Sequence, residues 1–266
     1  MKSAQFLYSL SILKALFIRD IFVHNAQIGR RIIDAIIWSV CITAVAQYLL
    51  PSFGMSNSYG SFLVVANIGL WGLFEINTQL AEFLVEIEEG QNISYLLTLP
   101  ISTTFIFIKY ALGYAYRSWI VSLMVFPVGL CIIPNLHHFS FSLVAVLKFL
   151  LLHALANIFY GFFCLYTAGL SPNPSYITTI RSRFIFPLWN LGCAHFSWNM
   201  LYNVWPIGAY INLLNPMTYI LEGLRSTLLP EFNSLNYWIC VASTLFFIFL
   251  FGYLSINRLK KRLDCL

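Results

Sequence analysis

The sequence predicts an all-α membrane protein with six transmembrane helices, an N-terminal interfacial helix and re-entrant helices before the last span. Of its 266 residues, 59% are hydrophobic and only 9% are charged, and the mean hydropathy is +0.77. A soluble domain carries about 25% charged residues. Several apolar runs reach the roughly 20 residues that a helix needs to cross a bilayer. These runs are solidly apolar, whereas the strands of a transmembrane barrel alternate, so helical spans are favoured.

Proline-rich and polar breaks divide this single transmembrane domain, 1–266, into its segments. Residues 1–30 place apolar side chains at helical spacing beside basic ones. We predict an amphipathic helix in the membrane interface there, with a cleaved signal peptide as the alternative. The predicted spans are 32–51, 60–81, 104–133, 139–170, 183–203 and 235–256. Prolines interrupt the segment 204–230, which predicts re-entrant helices on the outer side, buried in protein or lining a cavity.

The basic residues predict the orientation of the chain. If the N-terminus is cytoplasmic, nearly all of the 15 Lys and Arg residues fall on the cytoplasmic side. The exceptions are Arg117, Lys148 and Arg225. Because loops rich in Lys and Arg stay in the cytoplasm, we expect a multi-pass protein with both termini cytoplasmic. The net charge of +5 thus reflects topology, and no nucleic-acid partner is expected.

The stretch EIEEGQNISYLLTLP, residues 86–100, is an ordered insert between two apolar runs. Acidic side chains at Glu75, Glu82, Glu86 and Glu89 share one helical face, so the second span is predicted to continue beyond the membrane. Gly90 ends that helix, and a short helix over 91–99 follows until Pro100. The residues singled out here are Glu86, Glu88, Glu89, Gly90, Ile93, Leu96, Leu97 and Pro100. A solvated connector lying on the lipid headgroups is the alternative.

Two basic residues fall inside predicted spans. Burying such a charge in a bilayer costs at least about 2.5 kcal/mol, so each should face protein, water or a headgroup. For Arg117 the alternatives are an ion pair with Glu75 and a place in a translocation pathway. For Lys148 they are a pathway role and snorkelling to the outer interface.

The segment 204–230 contains a second group of candidates. Glu222 and Arg225 are three residues apart, which predicts either a local salt bridge on a re-entrant helix or a gate at the exit. The adjacent His137 and His138 diverge on a helix, and the six cysteines show no CxxC spacing. No metal site is therefore expected.

Three stretches of this chain resemble the permeases of type-two ATP-binding-cassette (ABC) exporters. They are EIEEGQNISYLLTLPISTTFIFIKYALG at 86–113, FIFPLWNLG at 184–192 and LLNPMTYILEGLRSTLL at 213–229. The positions that match the family's motifs are Gly90, Leu96, Leu97, Pro100, Asn215, Pro216, Tyr219 and Arg225. The order of these segments and the predicted topology agree with the family over nearly the whole chain.

The resemblance implies a permease subunit in the bacterial inner (plasma) membrane, with 86–100 as a coupling helix that docks on a separate ATPase. Two copies of that cytoplasmic ATP-binding subunit would pair with two permease chains, as a homodimer or with a sister permease. The chain contains no GxxxxGK[ST] phosphate loop. It is therefore expected to be no enzyme and to bind no cofactor directly, with ATP and Mg²⁺ held by the partner. Acidic side chains at 86–89 would complement basic residues on that partner.

The sequence leaves the substrate open. An exporter of a hydrophobic or amphipathic molecule is the preferred interpretation. The alternatives are an exporter specific for a lipid-linked polysaccharide, an integral-membrane enzyme that modifies lipids, and a scaffold or channel-like subunit. The enzyme would require a cluster of His, Asp, Glu and Arg at one membrane face, and the acidic segment at 86–89 has no histidine near it in sequence.

Overall fold

The computed structural model describes residues 2–56, 58–89 and 91–263, with side chains except at 2–10, 23–27, 89, 91, 92, 94 and 263. Within these ranges the structure is helical and contains no strand. The α-helices are α1 (Lys2–Ala44), α2 (Tyr59–Glu89), α3 (Gln91–Thr98), α4 (Thr103–Ile132), α5 (Leu143–Leu170), α6 (Ile177–Ile180), α7 (Phe186–Leu191), α8 (Trp198–Val204), α9 (Pro206–Asn212), α10 (Pro216–Leu228) and α11 (Tyr237–Leu263).

Among the described residues, five helical segments are long and apolar enough to cross a membrane. They are Ile28–Phe53, Tyr59–Glu88, Thr103–Ile132, Leu143–Leu170 and Tyr237–Arg262. These segments agree with the prediction of an all-α membrane protein. The fifth predicted span, 183–203, is not among them.

Helix α2 forms the axis of the bundle. Of its most apolar stretch, 89% is buried inside the protein, against 22% for the first spanning segment. Glycines on α2 allow neighbours to approach closely: a Cβ at Gly72 would lie 2.4 Å from the ring of Tyr160, and one at Gly69 would lie 2.5 Å from Leu221. The central helix is therefore wrapped by α1, α4, α5 and α10.

Contacts between helix ends establish how the long helices run. Lys109 near the start of α4 pairs with Asp20 of α1, while Tyr48 beyond α1 donates to the carbonyl of Ile132 at the end of α4. Arg262 of α11 donates to the carbonyl of Ala168 at the end of α5. We call the end of the bundle where α2, α5 and α11 finish the near end, and the opposite end the far end. Thus α1 and α4 run from near to far, and α2, α5 and α11 run from far to near.

The predicted span at 183–203 is wrong as a single helix. A π-helical turn, Arg181–Ile185, joins α6 to α7, and α7 ends at Leu191 with Gly192 as its C-cap. Cys193 then adopts a left-handed conformation with φ 59°, which stops helical propagation. Ser197 begins α8 by accepting a hydrogen bond from the backbone of Met200. Hydropathy averaged along the sequence does not reveal this local break because the flanking residues are apolar.

Helix α1 continues through the predicted boundary between an interfacial helix at 1–30 and a span at 32–51. It is unbroken from Lys2 to Ala44, and a π-helical turn and a 3₁₀ turn extend it to Phe53. No proline lies between residues 2 and 44, so nothing in the backbone forces a break.

Candidate functional site

Helices α2 and α3 lie on either side of Gly90, the predicted helix stop. Gly90 and the side chain of Glu89 lie outside the described residues. Helix α2 is described to Glu89 and α3 from Gln91, and Pro100 lies in the bend that follows α3. Helix α3 lies at the near end of the bundle because α2 finishes there.

Helix α3 divides its apolar residues between two faces. Ile93 and Leu96 are 4% and 0% exposed and belong to the main core. Tyr95 and Leu97 are 58% and 39% exposed. The inner residues therefore attach α3 to the bundle. The outer residues form an apolar surface that this chain itself leaves exposed.

The glutamates that were predicted to share one face of α2 also differ in their contacts with the bundle. Glu86 accepts a hydrogen bond from the hydroxyl of Tyr110 on α4, at 2.5 Å. Glu75 and Glu82 are also held by neighbouring helices, whereas Glu88 is exposed. Of the acidic side chains that the structure describes at 86–89, Glu88 is thus the one open to a partner.

Charged side chains of three helices meet in an arginine–glutamate cluster formed by Arg31, Glu75, Glu82 and Arg117. Arg31 of α1 donates to both glutamates of α2. Arg117 of α4 donates to Glu82 at 2.7 Å and approaches Glu75 within 3.8 Å. Two positive and two negative charges therefore balance at this level of the bundle.

The buried Arg117 side chain lies within this cluster. Its side chain is 1% exposed, and it contacts both Glu75 and Glu82 rather than one partner. Sequence reasoning missed Arg31, which is 44 residues from Glu75 along the chain. Its position just before an apolar run indicated only membrane orientation, so no local signal identified it.

A second ion pair extends this contact between α1 and α4 toward the near end. Lys109 pairs with Asp20 at 2.5 Å, and Arg19 also contacts Asp20, at 3.1 Å. Lys109 and Asp20 are both buried. Helix α1 is therefore attached to the bundle by charged contacts at two levels, at Asp20 and at Arg31.

At the far end, Glu222 and Arg225 of α10 form a fully buried pair. The two residues are 0% exposed and their side chains lie 3.2 Å apart. Glu222 also accepts hydrogen bonds from the backbone N–H groups of Trp198 and Leu235, at 3.2 and 3.3 Å. Burial raises the pKa of the Glu222 carboxyl, and Arg225 and these N–H donors oppose that shift.

Arg225 connects the same pair to α2. Its Nη2 donates to the carbonyl of Ala194 at 3.0 Å, and its guanidinium lies 3.6 Å from the ring centroid of Phe62. The buried pair thus joins α2, the turn after α7, the start of α8 and the segment before α11. Of the two sequence interpretations, the local salt bridge is present, and its many backbone contacts make it a structural anchor.

The other far-end candidates have identifiable contacts. Asn215 caps α10 by accepting from the backbone N–H of Met217 at 2.9 Å, and Pro216 occupies the first turn. Tyr219 packs against Phe247 of α11, with ring centroids 6.2 Å apart. The ammonium of Lys148 lies 5.4 Å from the ring centroid of Tyr237. Lys148 is therefore separate from the arginine–glutamate cluster.

Beside these residues lies an apolar groove of about 480 Å³. It is lined by α7, α8 and α9 together with Asn212 and Asn215. Both asparagines use their amide groups inside the protein, Asn212 with Cys193 and Thr218, and Asn215 with Leu188 and Met217. The groove consequently presents mainly hydrocarbon.

Within the described part of the chain, no group of three or more His, Cys, Asp or Glu side chains is placed to hold a metal ion. His138 instead pairs with Glu231 at 2.7 Å on the exposed far surface.

No model of a known protein family matches this chain, and no curated protein matches its sequence.

Proposed function

We propose that this chain is the permease subunit of an ABC exporter, which moves a hydrophobic or amphipathic substrate while a separate subunit hydrolyses ATP. The observation that carries the proposal is the α2–α3 junction. A short amphipathic helix stands at the near end, attached through Ile93 and Leu96, and exposes Tyr95 and Leu97. An exposed apolar face on an ordered helix is suited to a protein partner.

The attachment of α3 supports a role in coupling. Because the inner face of α3 is part of the core, movement of α3 would be transmitted to α2 and α4 as rigid-body motion. The side chain of Glu86 ties the same end of α2 to Tyr110 of α4. ATP and Mg²⁺ would be bound by the partner, two copies of which would serve a pair of permease chains.

We propose six membrane crossings, the fifth of which is broken. Helices α5 and α11 run in the same direction, so the chain between them returns from the near end to the far end. The segment 177–196, made of α6, a π-helical turn, α7 and the following turn, is the part available for that return. Both termini would then be cytoplasmic, in a bacterial inner membrane.

The far-end segment 204–230 would form re-entrant helices at the exit. Short helices interrupted by prolines are tolerated at membrane depth where they pack on protein or line a cavity. The buried Glu222–Arg225 pair would hold these helices in place. The adjacent apolar groove favours a hydrophobic substrate portion, including the lipid part of a lipid-linked polysaccharide.

The direct test is a mild detergent purification of the tagged chain from its native membrane, followed by mass spectrometry of the proteins that accompany it. A stoichiometric partner with a Walker-type phosphate loop is expected. Recovery of a homogeneous chain without such a partner, together with turnover of a lipid substrate, would replace the proposal with the lipid-modifying enzyme.

A further inference from the structure

A polar cleft of about 620 Å³ lies between α1 and α2, beside the arginine–glutamate cluster. Its size falls in the range of roughly 300–1,000 Å³ that is common for small-molecule sites. The lining residues are Arg30, Arg31, Asp34, Trp71, Phe74, Glu75 and Thr78. The cleft thus combines separated charges with two aromatic rings.

The charged groups of the cleft differ in how they are used. Arg31 and Glu75 are paired with each other inside the cluster. Arg30 and Asp34 are exposed, and neither forms an ion pair with any described residue. Being four residues apart on α1, they are neighbours on one helical face. A positive and a negative group therefore stand side by side and open to a ligand.

The positive side of the cleft suits a phosphate oxygen. The guanidinium of Arg30 is exposed there and forms no ion pair with any described residue. A guanidinium binds phosphate oxygens through charge-assisted hydrogen bonds. The aromatic rings of Trp71 and Phe74 line the same cleft.

The surroundings favour an amphipathic ligand. The cleft lies close to the start of the spanning segment Ile28–Phe53. Beyond it, α1 exposes Ile33 and Ile37, each 57%, and Val40, 41%. A ligand with its polar group in the cleft could lay a hydrocarbon chain along this apolar face of α1.

We propose that this cleft binds the phosphoethanolamine head group of a membrane lipid. The phosphate is bound by Arg30, and the ammonium is bound by Asp34. The lining side chains that the structure describes carry two positive and two negative charges, so a purely anionic head group would meet repulsion from Asp34 and Glu75. A two-carbon linker lets one zwitterion reach both neighbouring charges. This site needs no ATPase and does not depend on the proposed transport function.

The test is native mass spectrometry of the delipidated full chain, titrated with dioleoyl phosphatidylethanolamine, phosphatidylcholine, phosphatidylglycerol and chain-free glycerophosphoethanolamine. Phosphatidylethanolamine should bind most tightly, and Arg30→Gln and Asp34→Asn should each weaken it about tenfold. Lys14→Gln, at an exposed position of the same helix outside the cleft, should leave binding unchanged. Unchanged melting temperatures of the three variants would show that they fold.

Other outcomes would overturn the proposal. Equal binding of phosphatidylglycerol would indicate attraction by charge alone. Equal binding of phosphatidylcholine, whose trimethylammonium cannot donate to Asp34, would remove the role of that carboxylate. Equally tight binding of glycerophosphoethanolamine would remove the role of the hydrocarbon chain. Unaltered lipid binding in both cleft variants, or a second copy of the chain covering the cleft, would contradict the site itself.

Discussion

The buried charges of the arginine–glutamate cluster and of the Glu222–Arg225 pair each lie beside an opposite charge. Glu222 accepts hydrogen bonds from Arg225, Trp198 and Leu235, so the carboxylate is compensated by several donors at once. Arg117 is compensated by two glutamates of the central helix. Because an uncompensated charge is so costly in a membrane protein, each group should be sensitive to loss of one member.

The Glu222→Ala variant tests how much the buried Glu222–Arg225 pair contributes to stability. It leaves Arg225 buried without its carboxylate and leaves two backbone N–H groups without an acceptor. We expect a loss of about 3–5 kcal/mol of stability, the usual cost of breaking a buried pair from one side. Thermal unfolding of the purified protein in detergent measures it.

Glu231→Ala is the matched control. Glu231 is an acidic residue of the same end of the bundle, but its pair with His138 is exposed. Its removal should change stability by at most about 1 kcal/mol. Equal melting temperatures for the two variants would contradict the anchoring role of Glu222.

At the scale of elements, close approach between α4 and α5 depends on Gly161. A Cβ at this position would lie 2.1 Å from the backbone carbonyl oxygen of Ala111. A backbone atom cannot rotate away as a side chain can. The Gly161→Ala variant should therefore separate the two helices and cost about 1–3 kcal/mol.

Gly113→Ala on α4 separates this packing effect from helix propensity. Its Cβ would have Asp20 as its nearest neighbour, at 3.9 Å, which is an ordinary contact. Alanine is favoured over glycine in a helix interior by about 1 kcal/mol. We expect unchanged or higher stability for Gly113→Ala, and melting curves of both variants compared with the unmodified chain would reveal the difference in sign.

Helix α3 offers a second prediction at this scale. Leu97 is on its outer face, so Leu97→Glu should weaken docking of an ATPase subunit without unfolding the bundle. Full burial of a leucine contributes about 1.5–3 kcal/mol, so partner recovery should fall by tenfold or more. Co-purification from membranes measures the ratio of partner to permease.

The control for Leu97 is Thr98→Glu on the adjacent exposed position. It adds the same charge but removes no apolar contact. If both variants recover the partner equally well, the outer face of α3 is not the docking surface, and the coupling role proposed for it fails.

At the scale of the whole molecule, the proposal of six crossings rests on the direction of the helices. Five continuous spans alone would place the termini on opposite sides of a membrane. Because α5 and α11 run in parallel, the chain returns between them, and we propose that the broken segment 177–196 makes this return across the membrane.

Reporter fusions distinguish these topologies. With six crossings, a fluorescent protein at either terminus should be bright in the cytoplasm, and alkaline phosphatase inserted near Asn233 should be active outside. A C-terminal fusion that is active as a phosphatase and dark as a fluorescent protein would indicate five crossings and contradict the proposed return.

Local signals in the sequence determined the helical class, most of the long helices and the short helix α3 that ends before Pro100. Continuous apolar runs, Pro100 and the Asn215–Pro216 start of α10 act on the backbone nearby, so they can be recognised without knowing the fold. The same local reasoning missed the break after α7, where apolar composition masked the left-handed turn at Cys193.

Only the tertiary structure decided which side chains meet. Arg31 and Arg117 lie 51 and 35 residues from Glu82, yet both bind it. Ile93 and Leu97 look equivalent on a short apolar helix, and packing against the bundle buries one and exposes the other. Hydropathy and residue spacing predict which segments form helices and enter a membrane. The pairing of side chains depends on how helices that are distant in sequence pack together, and no local pattern encodes that packing.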